Sequence, residues 1–95
     1  MDIISKKPMA TEDVRQAISG KKVVVGAKRL QKTLISGATD RVYLAKDADP
    51  AITEPIKALC TLHNVEFAWV RSKTDLGHAC GIEVGAAAAA TVNPL

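Results

Sequence analysis

The sequence predicts an α/β fold in which helices cover both faces of a small sheet. Short β-branched or aromatic runs alternate along the chain with segments whose apolar residues recur every three or four positions. The chain has 95 residues, 47% of them hydrophobic, which is enough for one core and too short for two domains. Alternating strands and helices of this kind pack in layers around a shared core.

The first half of the chain predicts a helix, a strand and a second helix. Thr11 is the expected N-cap of a short helix that Gly20 ends. The run 22–25 (KVVV) predicts a buried strand that turns sharply at Gly26. A helix follows at once, with basic residues along one side and apolar residues along another, and Gly37 closes it.

The second half predicts two more strands, each followed by a helix. Residues 41–46 and 65–70 are the predicted strands. Between them we expect a regular helix from about Thr53, because Pro55 would then fall harmlessly in its first turn. The segment 72–75 (SKTD) has the spacing of a capping box and predicts a fourth helix.

The sequence pattern of the alanine-rich run at residues 86–90 does not decide between helix and strand. Alanine favours a helix by intrinsic propensity. The run is too short to nucleate a helix alone, and Gly85 and Thr91-Val92 flank it. Helix and strand therefore both stay open here.

The charge balance points towards a negatively charged partner. The chain carries 13 Lys and Arg residues against 10 Asp and Glu, with a formal net charge of +3 and a pI of about 9.0. Residues 1–37 hold eight of the cations and three of the acids, so the positive charge is concentrated there. Such a distribution is often only a solvated face, but it is also how a modestly charged domain builds a surface for a polyanion.

The sequence does not predict an enzyme. Gly26 follows a strand without the further glycines or the lysine of a nucleotide-binding loop. Ser72, Asp75 and His78 would drift around a short helix, and the first two are expected to cap it, so they do not form a triad. His63 and His78 lack a second ligand nearby, and we expect neither a metal nor a cofactor.

The composition favours a soluble, cytoplasmic protein. No run approaches the roughly 18 apolar residues of a membrane span. The N-terminal segment has no apolar signal stretch. Cys60 and Cys80 have neither redox nor zinc spacing and are expected to be reduced core thiols.

The junction of the first predicted strand with the following helix is the candidate binding site. A strand end, a tight turn, a helix N-terminus and a pair of cations fall within Gly26, Ala27, Lys28 and Arg29, and Lys32 follows one turn later. Free backbone N–H groups and the helix dipole favour an anion there. A phosphate backbone fits this arrangement best, and an ordinary solvated basic face is the alternative.

A glycine-bracketed segment after the fourth predicted helix is a second candidate. Ile82 and Val84 lie in it, between Gly81 and Gly85. Exposed aliphatic side chains in a loop invite a partner. They would equally suit core residues that enter a last strand, and spacing alone does not choose.

Three stretches of the chain closely resemble the kink-turn-binding ribosomal protein superfamily, of the L7Ae and L30e type. They are VVVGAKRLQK (23–32), LAKDADP (44–50) and VRSKTDLGHACGIEVGAAA (70–88). The resemblance covers roughly residues 14–92 and is strongest to small bacterial ribosomal-protein-like kink-turn binders. It implies a three-layer α/β/α sandwich with a mixed four-stranded sheet, in which the alanine-rich run is the last strand.

The resemblance also implies an RNA site at the first junction. In the family, a Gly-x-Asn-Glu turn enters the RNA major groove at the sheared G·A pairs of a kink-turn, and a lysine follows one turn later. Here Lys28 and Arg29 replace the Asn and Glu, between Gly26-Ala27 and Lys32. Asn and Glu accept hydrogen bonds from guanine edges, whereas Lys and Arg only donate.

This departure changes the expected balance of contacts. Lys28 retains the ability to donate to guanine O6 or N7, and Arg29 suits a phosphate. We therefore expect a larger electrostatic share of the binding free energy and weaker selectivity. The similar bacterial relatives also carry Lys at the Asn position, which favours retained kink-turn binding.

The second family contact is the loop after the fourth helix, where aliphatic residues pack on a flipped-out base. The residues that match this loop are Ile82, Glu83, Val84 and Gly85, and Lys73 matches a lysine near the RNA backbone. The full set of expected RNA-binding residues is Gly26, Ala27, Lys28, Arg29, Lys32, Lys73, Ile82, Glu83, Val84 and Gly85.

The expected function is therefore non-catalytic recognition and stabilisation of kink-turns in structured RNA, such as ribosomal RNA, a riboswitch or ribonuclease P RNA. A protein-interaction module on the same fold, without kink-turn specificity, is the alternative. We expect a monomer with no membrane partner. The domain is expected at residues 11–95, after a flexible tail at residues 1–10 whose Lys6 and Lys7 would otherwise form a basic RNA arm.

Overall fold

Four helices and four strands form the protein, which a computed structural model describes over residues 7–93. The helices are α1 (Thr11–Ile18), α2 (Ala27–Ser36), α3 (Pro50–Leu62) and α4 (Lys73–Ala79). The strands are β1 (Lys22–Val25), β2 (Thr39–Ala45), β3 (Phe67–Val70) and β4 (Ala88–Val92). The first six residues of the predicted tail, with Lys6, lie outside the described residues.

The sheet is mixed and has the strand order β1-β4-β2-β3. Strand β4 is antiparallel to both of its neighbours, and β2 and β3 are parallel. The register pairs Val25 with Ala89 and Leu44 with Ala88. The last residues of β1, β2 and β3 therefore lie at the same end of the sheet as the first residues of β4. We call this the site end of the sheet.

Two hydrophobic cores flank the sheet, which confirms the predicted three-layer α/β/α sandwich. Helices α1 and α4 cover one face, where their buried residues Val14, Ile18, Leu76 and Ala79 pack together. Helices α2 and α3 cover the other face with Leu30, Leu34, Ile56 and Cys60. Each helix turns one apolar stripe towards the sheet, as its 3.6-residue period requires.

The alanine-rich run is a strand because of where it lies. Ala88 and Ala90 belong to the core under α2 and α3, while Ala89 belongs to the core under α1 and α4. All three are at most 1% exposed, since β4 has a strand on each side and helices above and below. Pairing and burial on both faces outweigh the helix propensity of alanine.

The start of α1 differs from the prediction. Ala10, not Thr11, occupies the N-cap position, and the Asp13 carboxylate accepts a hydrogen bond from the Ala10 N–H at 3.0 Å. The Thr11 hydroxyl instead donates to Asp75 Oδ1 at 2.9 Å. This long-range bond ties α1 to α4, so the side chain that was expected to cap its own helix holds two helices together.

Met9, just before the predicted domain boundary at residue 11, lies against the sheet. Met9 forms a parallel bridge with Val70 at the outer edge of β3. Its N–H donates to the Trp69 carbonyl at 2.8 Å, and its carbonyl accepts from the Arg71 N–H at 2.9 Å. The described part of the predicted tail thus covers the edge strand β3, a common way to protect a sheet edge.

Helix α3 begins at Pro50, three residues before the predicted start. Asp49 is its N-cap and accepts a hydrogen bond from the Ala51 N–H at 2.9 Å, and Pro50 stands at the first helical position, where a missing N–H does no harm. Pro55 then lies inside the helix and removes the bond to the Ala51 carbonyl. The cap and the burial of Ile56 outweigh this loss.

We expect Pro55→Ala to stabilise the protein. Pro55 is exposed, so alanine fits there and restores the missing helical hydrogen bond. Replacing proline by alanine in a helix interior stabilises the folded protein by about 3 kcal/mol. The greater conformational freedom of the unfolded chain with alanine offsets up to about 1 kcal/mol of this gain. Urea unfolding measures the difference. Ala58→Gly on the exposed side of α3 is the control and should lose about 1 kcal/mol; a Pro55→Ala protein no more stable than the parent would contradict this account.

Candidate nucleic-acid interface

The turn from β1 into α2 lies at the site end of the sheet. The Gly26 N–H donates to the Ala88 carbonyl at 3.1 Å, which extends the pairing of β1 with β4 by one residue. Gly26 has φ 109°, a conformation that glycine adopts readily and other residues avoid. The chain can therefore leave the strand and begin a helix at Ala27 without an intervening loop.

The first turn of α2 has no side-chain cap. Gly26 is the N-cap residue and offers no side-chain acceptor. Within residues 7–93, the N–H groups of Ala27, Lys28 and Arg29 donate to no backbone or side-chain acceptor. These donors and the positive end of the helix dipole make the turn suited to an anion.

The side chains around this turn add positive charge where the helix itself disfavours it. Lys28, Arg29 and Lys32 are exposed, and the first turn of α2 contains no acid. None of the three forms an ion pair with another described residue. A cation near a helix N-terminus opposes the dipole by about 0.3–1 kcal/mol. The arrangement is therefore unfavourable for the free protein, and a bound polyanion would relieve it.

The loop between α4 and β4 is fastened to α4 at both ends. The Ile82 N–H donates to the Gly77 carbonyl at 3.0 Å, and the Ala86 N–H donates to the Lys73 carbonyl at 3.0 Å. Gly77 is buried, and a Cβ there would collide with the Val84 carbonyl oxygen. The loop thus lies directly on the helix, and its shape depends on the missing side chain of Gly77.

The two aliphatic residues of this loop have different environments. Ile82 is half-buried and packs against the core under α1 and α4. Val84 is 70% exposed, and its neighbours Glu83 and Gly85 are exposed as well. Neither residue enters the last strand, which begins at Ala88. Ile82 anchors the loop on the core, and Val84 is available to a partner.

The two predicted parts of the site lie side by side. The loop leads directly into β4, whose first residue, Ala88, bonds to Gly26. Lys73 is exposed at the start of α4, where its N–H donates to Asp47 Oδ1 at 2.8 Å. Since β1 and β4 are neighbours, the uncapped turn of α2 and the exposed Val84 loop share the site end of the sheet.

Two further cations lie at the site end, and the sequence reasoning missed them. Lys46 follows β2, and its N–H donates to the Val70 carbonyl at 2.9 Å; its side chain is exposed without an ion pair to a described residue. Arg71 follows β3, with its Nε 3.4 Å from Asp75 Oδ2. The parallel direction of the predicted strands was the available signal, because parallel strands end on the same side of a sheet.

Asp49, Ser72 and Asp75, which lie near the site end, have structural partners. Asp49 caps α3, and Ser72 Oγ accepts a hydrogen bond from the Asp75 N–H at 3.0 Å, so Ser72 and Asp75 serve the start of α4. Burial raises the pKa of the Cys60 and Cys80 thiols, which favours their protonated form. Both cysteines are free.

Two further features were sought in residues 7–93: a cluster of metal ligands and a membrane-spanning helix. No group of three or more His, Cys, Asp or Glu side chains there is placed to hold a metal ion. None of the four helices is both long and apolar enough to cross a membrane.

The protein is a small α/β domain, and its uncapped basic helix terminus lies beside an exposed loop. This combination suits a polyanion. The chain belongs to the ribosomal protein L7Ae/L30e/S12e/Gadd45 family, whose model matches residues 9–94.

Bacterial relatives match most of the chain. An RNA-binding protein of Bacillus pumilus is 42% identical over 82 residues, which are 86% of this chain and 96% of the relative. The RNA-binding protein YbxF of Geobacillus stearothermophilus has the same identity and coverage. Among solved structures, the Giardia lamblia 15.5kD RNA binding protein superposes with a TM-score of 0.76 at 28% identity, over 85% of this chain and 68% of that one.

We expect Gly77→Ala to destabilise the protein although alanine is the better helix former. Intrinsic propensity alone would give a gain of about 1 kcal/mol. The added methyl group collides with the Val84 carbonyl, and such overpacking costs about 1–3 kcal/mol. Urea unfolding gives the sign, and amide chemical shifts of residues 82–85 report the displaced loop. Thr74→Ala, on an exposed turn of the same helix, should change stability by less than about 0.5 kcal/mol. A stabilised Gly77→Ala protein with unmoved loop signals would refute the contact.

Proposed function

We propose that this chain is a non-catalytic RNA-binding protein that recognises kink-turns and stabilises their bent form. The observation that carries the proposal is the uncapped, cationic first turn of α2 lying beside the exposed Val84 loop. The relatives named as RNA-binding proteins, and the similarity to the Giardia protein, support RNA as the polyanion.

In the proposed complex, the first turn of α2 enters the major groove at the sheared G·A pairs. Lys28 donates to guanine O6 or N7, the commonest specific contact of a basic side chain with a base. Arg29 holds a phosphate through its planar fork, and Lys32 adds a contact one turn along the helix. The free N–H groups of the turn contribute fixed donors that need no side-chain ordering.

The loop after α4 forms the second half of the proposed contact. Val84 packs on the extruded base, while the buried side of Ile82 holds the loop against the core. Glu83 and Gly85 flank this contact, and Lys73 approaches the RNA backbone. Both contacts lie at the site end of the same sheet, so they fix the angle between the RNA elements that they hold.

Stabilisation of the bent RNA follows from this geometry. An RNA that exchanges between extended and kinked forms shifts towards the form that the protein binds better, by no more than the difference in binding free energy. Only the kinked form presents the G·A groove and the extruded base to both contacts together. The cations at the site end also offset the repulsion between phosphates that the bend brings close.

The first test is a titration of a kink-turn duplex against the same duplex with its G·A pairs replaced by Watson–Crick pairs. We expect tighter binding to the kink-turn and increased energy transfer between fluorophores on its two arms. Equal, strongly salt-sensitive binding to both duplexes would instead show a general backbone binder. Absence of binding to either would refute RNA recognition and favour a protein-interaction module.

We further expect Lys28→Glu to raise stability and to weaken RNA binding. A carboxylate in the first turn of α2 complements the dipole that Lys28 opposes, for a gain of about 1 kcal/mol. The same change removes a charge-assisted donor worth about 1.5–3 kcal/mol, which corresponds to at least about a tenfold loss of affinity. Thermal unfolding and RNA titration measure the two effects.

Lys28→Gln is the matched control, because it removes the charge without reversing it. Its stability and its affinity should both fall between those of the parent and of Lys28→Glu. Unchanged affinity of Lys28→Glu for the kink-turn would remove Lys28 from the interface.

A further inference from the structure

A basic groove lies between Arg29 of α2 and the strand ends at the start of β1, the end of β4 and the start of β2. It has a volume of about 820 Å³ and is lined by Lys21, Lys22, Val24, Arg29, Asp40 and Val92, among others. The valines come from β1 and β4 and form its apolar wall. The groove extends from Arg29, in the first turn of α2, towards the start of β1.

The backbone of β1 is open along this groove. Among residues 7–93, β1 is one of the two outer strands of the sheet and pairs only with β4. In an antiparallel pair, every second residue exchanges hydrogen bonds with the neighbouring strand. Because the Gly26 N–H donates to the Ala88 carbonyl, Lys22 and Val24 are the residues of β1 that exchange hydrogen bonds with β4. The N–H and carbonyl groups of Val23 and Val25 therefore face away from the sheet. Within residues 7–93 no backbone hydrogen bond occupies them, whereas Met9 covers the opposite edge.

The charge of the groove is positive. Lys22 and Arg29 are exposed and form no ion pair with a described residue. Lys21 Nζ lies 3.4 Å from Asp40 Oδ2, and that carboxylate also accepts a hydrogen bond from the Thr91 hydroxyl at 3.2 Å. The groove thus has three cations against one acid, Asp40, whose carboxylate is already bound by Lys21 and Thr91.

Arg29 belongs both to the groove and to the first turn of α2. The groove therefore continues the proposed RNA site instead of forming a separate one. Strand β1, which contributes Lys22 and Val24 to the groove, spans about 13 Å at about 3.3 Å per residue. A second cationic contact, Lys22, lies near the far end of this strand.

We propose that the groove receives the sugar–phosphate backbone of one of the two RNA stems that lead away from the kink. The inference rests on the proposed function and extends it from the kink to a stem. Lys22 and Arg29 bind phosphates, and the apolar wall of Val24 and Val92 faces ribose carbons.

An RNA backbone fits this groove better than an added peptide strand. The open edge is only four residues long, begins with Lys22 and follows directly on Lys21; short edges with charged residues are how natural sheets discourage strand addition. The excess of cations and the continuity with the first turn of α2 both suit the RNA proposed to bind at that turn.

The test compares Lys22→Gln with the parent on kink-turns that carry full-length stems and on kink-turns with one stem trimmed at a time. With full-length stems, the slope of log affinity against log salt should fall by about 1, the value for one lost phosphate contact. Trimming the stem that lies in the groove should abolish this difference, and trimming the other should not. Lys7→Gln, at an exposed lysine beside the opposite edge of the sheet, is the matched control and should behave like the parent.

The outcomes separate this inference from the proposed function. If the parent prefers the kink-turn but Lys22→Gln has the same salt slope on every RNA, the groove is not an RNA contact. An equal loss in Lys7→Gln would reveal a general charge effect and also overturn the inference. Binding of polyglutamate that is lost in Lys22→Gln, with no change in the RNA slope, would assign the groove to an acidic protein. A parent without kink-turn preference overturns the proposed function and this extension together.

Discussion

The position of β4 between β1 and β2 is the constraint on which the rest of the structure depends. A central strand with helices on both faces must bury side chains in both directions, and three consecutive alanines let both helix layers approach closely. Because β4 runs against β1, the loop that precedes it meets the turn that follows β1. The same pairing therefore forms the core and assembles the site from segments about 55 residues apart in sequence.

The start of α2 shows a conflict between stability and proposed function. A fold selected only for stability would place an acid or a capping side chain in this turn. The chain has Gly26, which permits the sharp turn, and then two adjacent cations that oppose the helix dipole. Buried Leu30 and Leu34 hold the helix on the sheet in spite of this local penalty. Sites that violate local rules in this manner are where function is expected.

Local pattern predicted most elements, and long-range contacts account for the differences. The capping serine of α4 and the glycine after β1 follow from spacing alone. Thr11 was assigned to its own helix because its partner, Asp75, is 64 residues away and invisible to a local pattern. The alanine run needed the family resemblance for the same reason, since only its neighbours in the sheet make it a strand. Likewise, Ile82 and Val84 have equivalent spacing and differ only in what the fold places beneath them.

Lys28 and Arg29 are hydrogen-bond donors where the family has acceptors, so the proposed interface relies more on electrostatic attraction and less on reading base edges than the family's usual site. Acceptors bond to the donor groups of guanine edges, whereas Lys28 donates to guanine O6 or N7 in the proposed complex and Arg29 contributes charge that acts on any phosphate nearby. Selectivity then depends more on shape, through the spacing between the first turn of α2 and the Val84 loop. A groove that adds backbone contacts strengthens binding without base reading, so affinity comes to depend on the course of the RNA backbone. In such an interface the pairing of β1 with β4 contributes to specificity, because it sets the distance between the contacts.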